Sequence, residues 1–497
     1  MRVLLIYFSQ TGYLLPAPPI GLSYIAKATR AAGHAVEMLD LLFSRNPDGD
    51  LRPVLRTFRP DVVGISVRNI DNLTQQRSEW HLDELSRRLS EIRRECHAKI
   101  VLGGPAINIL GASALSGLDA DFAMTGESEV GFPMLLSALE THGRYDHIAG
   151  LCYRDGDTIV ATPSMRLNGF GSSGMEEWID WRAYERRGGT WAIQSMRGCP
   201  MSCIYCPFPS LEGRVSRRRP AEEVVDEIER VMSTRRPRTF EFVDSVFNIP
   251  QEHALSICET IIRRRLKVNL SAMGVYPSAV SEELFPLMKR AGFNSMMIAP
   301  EAGNDVMLLS LGKGFTMESV HRTARLARQS GIPCAWFFMV GGPGETRETI
   351  ESTVSFAERH LNWKDCLTIF TTGIRILGGT ELARIAMEEG ELSPGTDLTK
   401  PVFYVSPQVN SDWIVDRINR AIRVNGAIVH AADQGDSFWN RALYAGLYWA
   451  GLAPPYWRFL PRILRFPPVH RMHLRHPLAP KPPGDRVSST ARSLTAE

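Results

Sequence analysis

The chain of 497 residues predicts an α/β protein: a Rossmann-like domain, then a partial (β/α)6 barrel of the TIM type, then a helical C-terminal region. Three observations predict it. Short apolar runs such as Val3–Phe8 and Val62–Val67 alternate with stretches of helical spacing, the signature of parallel strands covered by helices. The alternation resumes after residue 190 in units the size of a barrel repeat. Beyond about residue 410 the spacing turns helical and rich in aromatics and arginines. At 44% hydrophobic and 22% charged the composition is that of a globular protein, and the length corresponds to roughly three domains. A net charge of +3 is too small to argue for nucleic acid. Eight irregularly spaced cysteines without a signal peptide fit a reducing cytoplasm. The opening apolar run is too short to span a membrane.

In the first half, Val3–Phe8 reads as a buried parallel strand. Gly21–Ala32 reads as a helix with Leu22, Ile25, Ala26 and Thr29 on one face and a stop at Gly33. Ala35–Leu39, Val62–Val67, Lys99–Leu102 and Phe122–Thr125 supply four further strands, with a long charged helix over Ser78–Cys96. Ligands of such sheets sit outside the carboxyl ends of the strands. The turns there are Ser66-Val-Arg-Asn-Ile-Asp71, Gly103-Gly-Pro105 and Gly126-Glu-Ser-Glu129. They combine glycines, which permit close backbone approach, with polar side chains such as Ser66, Asn69 and Glu127.

In the second half, strands are expected at Thr239–Val243, Lys267–Ala272, Ser295–Ala299, Cys334–Val340 and Leu367–Ile376. Helices over Ala221–Thr234, His253–Arg265, Ser281–Ala291, Met317–Ser330 and Arg347–His360 separate them. Two more helices are expected from Asp412 to about Ala432 and from Ser437 to about Leu452. The last segment interleaves Phe438, Trp439, Tyr444, Tyr448, Trp449, Tyr456, Trp457 and Phe459 with Arg441, Arg458, Arg462 and Arg465. That mixture suits a membrane interface or the cover of a greasy substrate. The favoured reading is a helical cap that buries aromatics on the barrel and exposes arginines. The expected boundaries are 1–150 for the first domain, 151–188 for a linker, 189–390 for the barrel and 391–476 for the helical region; 477–497 is a polar, Pro-rich, disordered tail.

The chemistry concentrates in Met196-Arg-Gly-Cys-Pro-Met-Ser-Cys-Ile-Tyr-Cys-Pro207. Cys199, Cys203 and Cys206 form C-x3-C-x2-C, and no fourth cysteine lies nearby. A structural zinc site closes with four ligands, whereas a three-thiolate 4Fe–4S cluster leaves one iron open for a small molecule. Gly198 and Pro200 keep the loop irregular, so that the sulfurs can converge on one point. Tyr205 has the position to cover a bound ligand with its ring. A zinc site completed by histidine and a set of unrelated buried thiols are the competing readings. Cys152, Cys258, Cys334 and Cys366 lack such spacing and read as buried apolar residues, although Cys334 and Cys366 could face the barrel pocket.

This spacing, with an aromatic before the last cysteine, resembles the radical S-adenosylmethionine (SAM) superfamily. The first half resembles the cobalamin-binding domain that precedes the radical SAM domain in many enzymes. The matching pieces are Pro-Pro-Ile-Gly-Leu at Pro18–Leu22, Gly-Gly-Pro at Gly103–Pro105 and Gly-Glu-Ser-Glu at Gly126–Glu129. Together they resemble the group of the P-methylases and the anaerobic magnesium-protoporphyrin ester cyclase, over the chain up to about residue 415. The Asp-x-His-x-x-Gly motif for a cobalt-ligating histidine is missing, since Asp146-His147 and Gly150 have the wrong spacing. A degenerate domain that docks on the barrel and binds nothing is the alternative for this half.

The resemblance implies three cofactors or cosubstrates: a 4Fe–4S cluster on Cys199, Cys203 and Cys206, SAM, and cobalamin. It implies SAM contacts at Tyr205, Asp244, Glu301, Gly341, Gly342 and Arg375, and cobalamin contacts at Ser66, Asn69, Gly103, Gly104, Pro105, Gly126 and Glu127. Each has a structural competitor: Asp244 as a turn cap, Glu301 as an ion-paired barrel residue, Arg375 as a packing cation. The implied activity is methyl transfer from SAM through methylcobalamin to an unactivated carbon of a small, hydrophobic or lipid-like substrate. Cyclisation, rearrangement or oxidation, and a non-catalytic iron–sulfur or zinc protein, are the alternatives. An electron donor such as flavodoxin or ferredoxin is the implied protein partner. Nucleic acid is not expected, and the aromatic C-terminal segment leaves peripheral membrane contact open.

Overall fold

Strand β1 (Arg2–Phe8) is buried on both faces after its first residue, which marks it as the centre of a parallel sheet. A computed structural model, describing residues 1–9, 16–433 and 438–469, places it between β2 (Ala35–Asp40) and β3 (Val62–Val67). The sheet continues through β4 (Lys99–Gly103), β5 (Phe122–Met124), β6 (Leu151–Asp155) and β7 (Thr158–Ala161), in the order β2-β1-β3-β4-β5-β6-β7. The strand order reverses between β1 and β3, so the crevice at their carboxyl ends is the natural ligand site. Ser66 and Asn69 lie on the turn leaving β3 there.

Residues 151–161, expected as the start of a linker, instead extend this sheet. A two-residue turn at Gly156-Asp157 folds β6 and β7 into an antiparallel hairpin, and β6 pairs with β5. Gly156 supplies the left-handed conformation at the turn, with φ +59°.

The second sheet starts at β8 (Trp191–Ile193). A short antiparallel ribbon, β9 (Met196–Arg197) with β10 (Arg217–Arg218), then brackets the cysteine loop. Parallel strands follow at β11 (Phe240–Phe242), β12 (Leu270–Val275), β13 (Phe293–Glu301), β14 (Cys334–Val340) and β15 (Cys366–Thr372). The short strands β16 (Ile374–Arg375) and β17 (Phe403–Tyr404) pair with each other. A seventh barrel strand, β18 (Ile428–His430), adds beside β15.

That last strand corrects two expectations. The helix expected over 412–432 stops at Val424, where Asn425-Gly426 breaks it and the β-branched Ile428 and Val429 follow. The barrel accordingly draws on chain well beyond residue 390.

Alternate residues of the barrel strands face inward. In the lower half, Met297, Ala335, Leu367, Ile369 and Val429 form one apolar cluster with Trp457, Leu460 and Leu464. The C-terminal segment therefore plugs the barrel at the amino ends of its strands. Arg462 pairs with Asp365 at 2.7 Å, and Thr239 donates to the Pro454 carbonyl at 2.5 Å, both just ahead of barrel strands. From Pro454 on, the aromatic–arginine segment is thus a cap on the end of the barrel opposite the cysteines. Among the described residues no helix is long and apolar enough to cross a membrane. The expected tail 477–497 and the side chains of Phe438 and Trp439 lie outside the described residues.

Candidate functional site

The cysteine loop is held by backbone constraints on both flanks. A Cβ on Gly198 (φ +96°) would collide with the Val215 carbonyl, and one on Gly312 (φ +67°) with the Ser202 carbonyl. The Cys199 amide donates to Gly213 and the Ile204 amide to Leu311, at 2.9 and 3.2 Å. All three thiols are free. Cys199 packs with Val246 and Tyr276 against Met201, Ile249 and Phe315, an apolar wall. Burial pushes the Cys199 thiol up and that of Cys206 to about 12, while the Lys313 ammonium opposes both shifts.

Those features fit an iron–sulfur cube: three thiols, a dry wall, and a buried cation to offset thiolate charge. Among the described residues no three His, Cys, Asp or Glu side chains are grouped to hold one metal ion. A cube offers each thiolate its own iron and leaves one iron open, so three cysteines without a fourth ligand suit it better than a four-ligand zinc site.

Lys313 is the main residue that sequence reading missed. Its side chain is almost wholly buried, and Nζ lies 3.2 Å from the Tyr205 hydroxyl, which in turn lies 3.4 Å from Glu301 Oε1. Nζ also stands over the rings of Tyr205, Tyr276 and Phe315 at 5.5 to 5.9 Å. Glu301 closes β13 in the left-handed region, φ +70°, and burial raises its pKa against the pull of Lys313. A carboxylate and an ammonium thus flank Tyr205 beside the cysteines, which is a complement for an amino-acid zwitterion.

Asp244 takes the capping role. Its Oδ1 accepts from the Ser195 and Met196 amides at 2.8 and 3.0 Å, and Oδ2 from the Ser195 hydroxyl at 2.6 Å. It fixes the turn between β8 and the cysteine loop. Burial still lifts its pKa to about 7. Gly341 and Gly342 give their amides to the buried Glu345 carboxylate, at 2.5 and 2.9 Å. Their glycine identity serves a tight turn, with Gly341 at φ +101°.

Arg375 does not face the pocket. Its Nε donates to Asp71 at 2.6 Å, both side chains being buried, and its other nitrogens serve the carbonyls of Ile376, Leu398 and Val402. Asp71 belongs to the turn after β3, so the pair bolts the first domain to the barrel. Glu127 is corrected in the same sense. It pairs with Arg217 at 2.5 Å and Arg197 at 3.2 Å and accepts from the Leu167 amide, which leaves it a docking carboxylate. Two basic neighbours outweigh burial and hold its pKa below the usual carboxylate range.

Arg197 is the second residue that went unnoticed. It directly precedes Gly198-Cys199, pairs with Glu127 and Glu129, and lies between the rings of Tyr24 and Phe170 at 4.6 and 4.3 Å. A basic residue beside a cysteine motif carries no sequence sign that its partners sit about seventy residues upstream.

The glycines of the first domain divide. A Cβ on Gly104 (φ +92°) would stand 2.7 Å from the Val67 carbonyl and 2.9 Å from Ser66 Oγ, so β3 itself demands that glycine. Gly126 (φ +75°) is fixed likewise by Ser164, its amide bonding Asn108. Pro105 opens the helix Pro105–Leu110. Gly103 meets nothing within 4 Å and opens on space. Together with Ser66 and Asn69, both only partly buried, it leaves a cradle at the strand ends that a flat macrocycle fits. Facing that cradle, the upper barrel interior presents Gln194, Val243, Ala299, Phe337, Met339 and Thr371, partly exposed, and Met273, 37% exposed in mid-strand. The partly exposed side chains of both sheets would border a chamber between them.

The radical SAM superfamily model matches residues 193–357, and the B12 binding domain model matches residues 13–136. An uncharacterized methyltransferase of Pyrococcus horikoshii is 24% identical over 351 residues, 69% of this chain and 73% of that protein. The tryptophan 2-C-methyltransferase of Streptomyces laurentii is 25% identical over 439 residues, 75% of this chain and 73% of that one. In fold, the chain superposes on the radical SAM methyltransferase TsrM of Kitasatospora setae, solved with cobalamin and a [4Fe-4S] cluster. The TM-score is 0.79 at 22% identity, over 95% of this chain and 99% of that one. The two domain matches fall on the two sheets: the chain carries a radical SAM domain with a B12-binding domain ahead of it.

Proposed function

We propose that the chain is a cobalamin-dependent radical SAM methyltransferase that moves a methyl group from SAM to an unactivated carbon of a small molecule. The observation that supports this reading is a loop of three free thiols inside the radical SAM match, with a B12-binding match ahead of it. Cys199, Cys203 and Cys206 would hold the cube, and Ser66, Asn69 and Gly103 would border the corrin. When bound, the cube supplies the electron that splits the sulfonium, and cobalamin supplies a methyl donor that breaks homolytically.

The chain's own residues do the remaining work. Lys313 and Glu301 flank the Tyr205 hydroxyl, where they would receive the carboxylate and amino groups of SAM. Asp244 and Arg197 hold the cysteine loop from behind, one from the barrel and one through the first domain. Val243, Met273, Phe337 and Met339 give the chamber an apolar wall that excludes water and shields a carbon radical. That wall favours a hydrophobic or aromatic substrate. A cluster on three cysteines and five further free thiols need reducing conditions, so the proposed location is the cytoplasm.

The test is anaerobic turnover with methyl-deuterated SAM and candidate aromatic or isoprenoid metabolites. Product heavier by one labelled methyl supports the reading. Deoxyadenosine release with no labelled product contradicts it in favour of another radical reaction.

A further inference from the structure

On the outer wall of the barrel, a groove lined mainly by cations lies between two helices, Met317–Ser330 and Arg347–His360. They lead into β14 and β15 and end just ahead of those strands, so the groove sits toward the strands' amino ends, away from the cysteine loop. The second helix stops early. Its last residue, His360, meets His321, the fifth residue of the first helix, with ring centroids 4.8 Å apart. The rest of the first helix is left uncovered on this side, and Arg325, Arg328 and Gln329 stand exposed along it. With Arg359 and the two histidines they border a groove of about 540 Å³, a volume that holds a small molecule.

Few carboxylates answer these cations. Glu282 takes Arg325 at 2.7 Å. Glu351 and Glu358 pair with Arg417, and the exposed Glu318, one turn before His321, does not line the groove. Among the described residues neither Arg328 nor Arg359 has a carboxylate within ion-pair distance. Cations in a last helical turn do complement the carbonyls there, but each helix end carries only about half a charge. Two such ends and Glu282 offset about two of the three arginines, which leaves a surplus of positive charge. Partial burial, and then the neighbouring His321 and Arg359, hold the His360 imidazole below its ordinary pKa, in keeping with that surplus.

We propose that this groove binds the diphosphate group of a small phosphorylated molecule. A planar guanidinium gives two parallel hydrogen bonds to one phosphate, so guanidiniums on facing walls suit two linked phosphates. Arg328 comes from one wall and Arg359 from the other, while His321 and His360 each offer a ring N–H to a phosphate oxygen. A single carboxylate engages one wall only. The bound diphosphate ties together the helices ahead of β14 and β15, so its binding raises the melting temperature. The inference does not rest on the iron–sulfur reading, and the two can fail separately.

The test is titration calorimetry on the full-length protein at physiological salt, with inorganic pyrophosphate, uridine diphosphate and uridine as separate ligands. Pyrophosphate and uridine diphosphate should bind and uridine should not; tighter binding of the nucleotide than of pyrophosphate would identify a nucleotide as the source of the diphosphate. Arg328→Gln/Arg359→Gln should weaken pyrophosphate binding about tenfold or more and abolish its effect on the melting temperature. Arg322→Gln removes an exposed arginine of the same helix outside the groove, and it should change the affinity by less than about twofold. No saturable pyrophosphate binding by wild type up to about 1 mM overturns the proposal. So does uridine binding as tightly as its diphosphate, or unchanged affinity in the double variant. Equal losses in that variant and in Arg322→Gln overturn it too, since they would show diffuse attraction without a site.

Discussion

Lys313 governs the charge balance of the site, because it is the buried cation between Glu301 and the thiols. Replacing it by Met keeps the stem and removes the charge. SAM affinity should then weaken by about tenfold or more, since the carboxylate of the cosubstrate loses its charged partner. Unaltered SAM binding by equilibrium dialysis would contradict that role. Glu345 makes a separate prediction. Burial raises its pKa to about 7 from an ordinary 4.5, so between those values the folded chain holds a proton that the unfolded chain releases. Its contribution to stability is therefore present at low pH and lost as pH rises through about 7. Glu345→Gln keeps an oxygen for both glycine amides and has no charge to desolvate. The drop in melting temperature from about pH 5 to about pH 8 should be smaller in the variant; equal drops would refute the assignment. At this scale the cysteines were legible because their spacing is itself the chemistry. Lys313 and Arg197 were not, since a lysine between two glycines or an arginine ahead of a loop looks solvated until its distant partners are in place.

Strands and turns were the most legible level. β3 and β14 match the expected Val62–Val67 and Cys334–Val340, because buried parallel strands leave unbroken apolar runs. The β6–β7 hairpin and β18 escaped for opposite reasons. The first is short and half exposed, and the second follows a helix whose periodicity ran on into it. The turns could be located in sequence, but which glycine faces ligand and which faces backbone could not. Gly103 and Gly104 now differ sharply. Gly103→Leu should lower cobalamin stoichiometry with the melting temperature nearly unchanged, because its Cβ direction is open. Gly104→Ala should destabilise the chain by about 1–3 kcal/mol, because it meets the Val67 carbonyl in a left-handed conformation. Measuring corrin content and thermal stability on both variants separates the two effects, and a swap of the two outcomes would reject the cradle.

Across the whole molecule, two sets of buried charges join the domains over the chamber, Asp71–Arg375 on one side and Glu127–Arg197–Glu129 on the other. Removing one partner of such a pair strands the other charge. Arg375→Met should therefore cost about 3–5 kcal/mol, while adding Asp71→Leu should recover much of that loss. Urea unfolding of the single and double variants checks this, and simple additivity would argue against a coupled bolt. These pairs were invisible in sequence because each joins residues of different domains. They also keep the cysteine loop in register with the cradle, as transfer within one chamber requires. The chemistry of the whole molecule depends on the cluster. Anaerobic reconstitution with iron and sulfide, followed by electron paramagnetic resonance of the reduced protein with and without SAM, should give about four irons per chain and a signal that SAM perturbs. It should vanish on Cys199→Ala, Cys203→Ala or Cys206→Ala. A cluster blind to SAM, or one that survives loss of any of these cysteines, would contradict it.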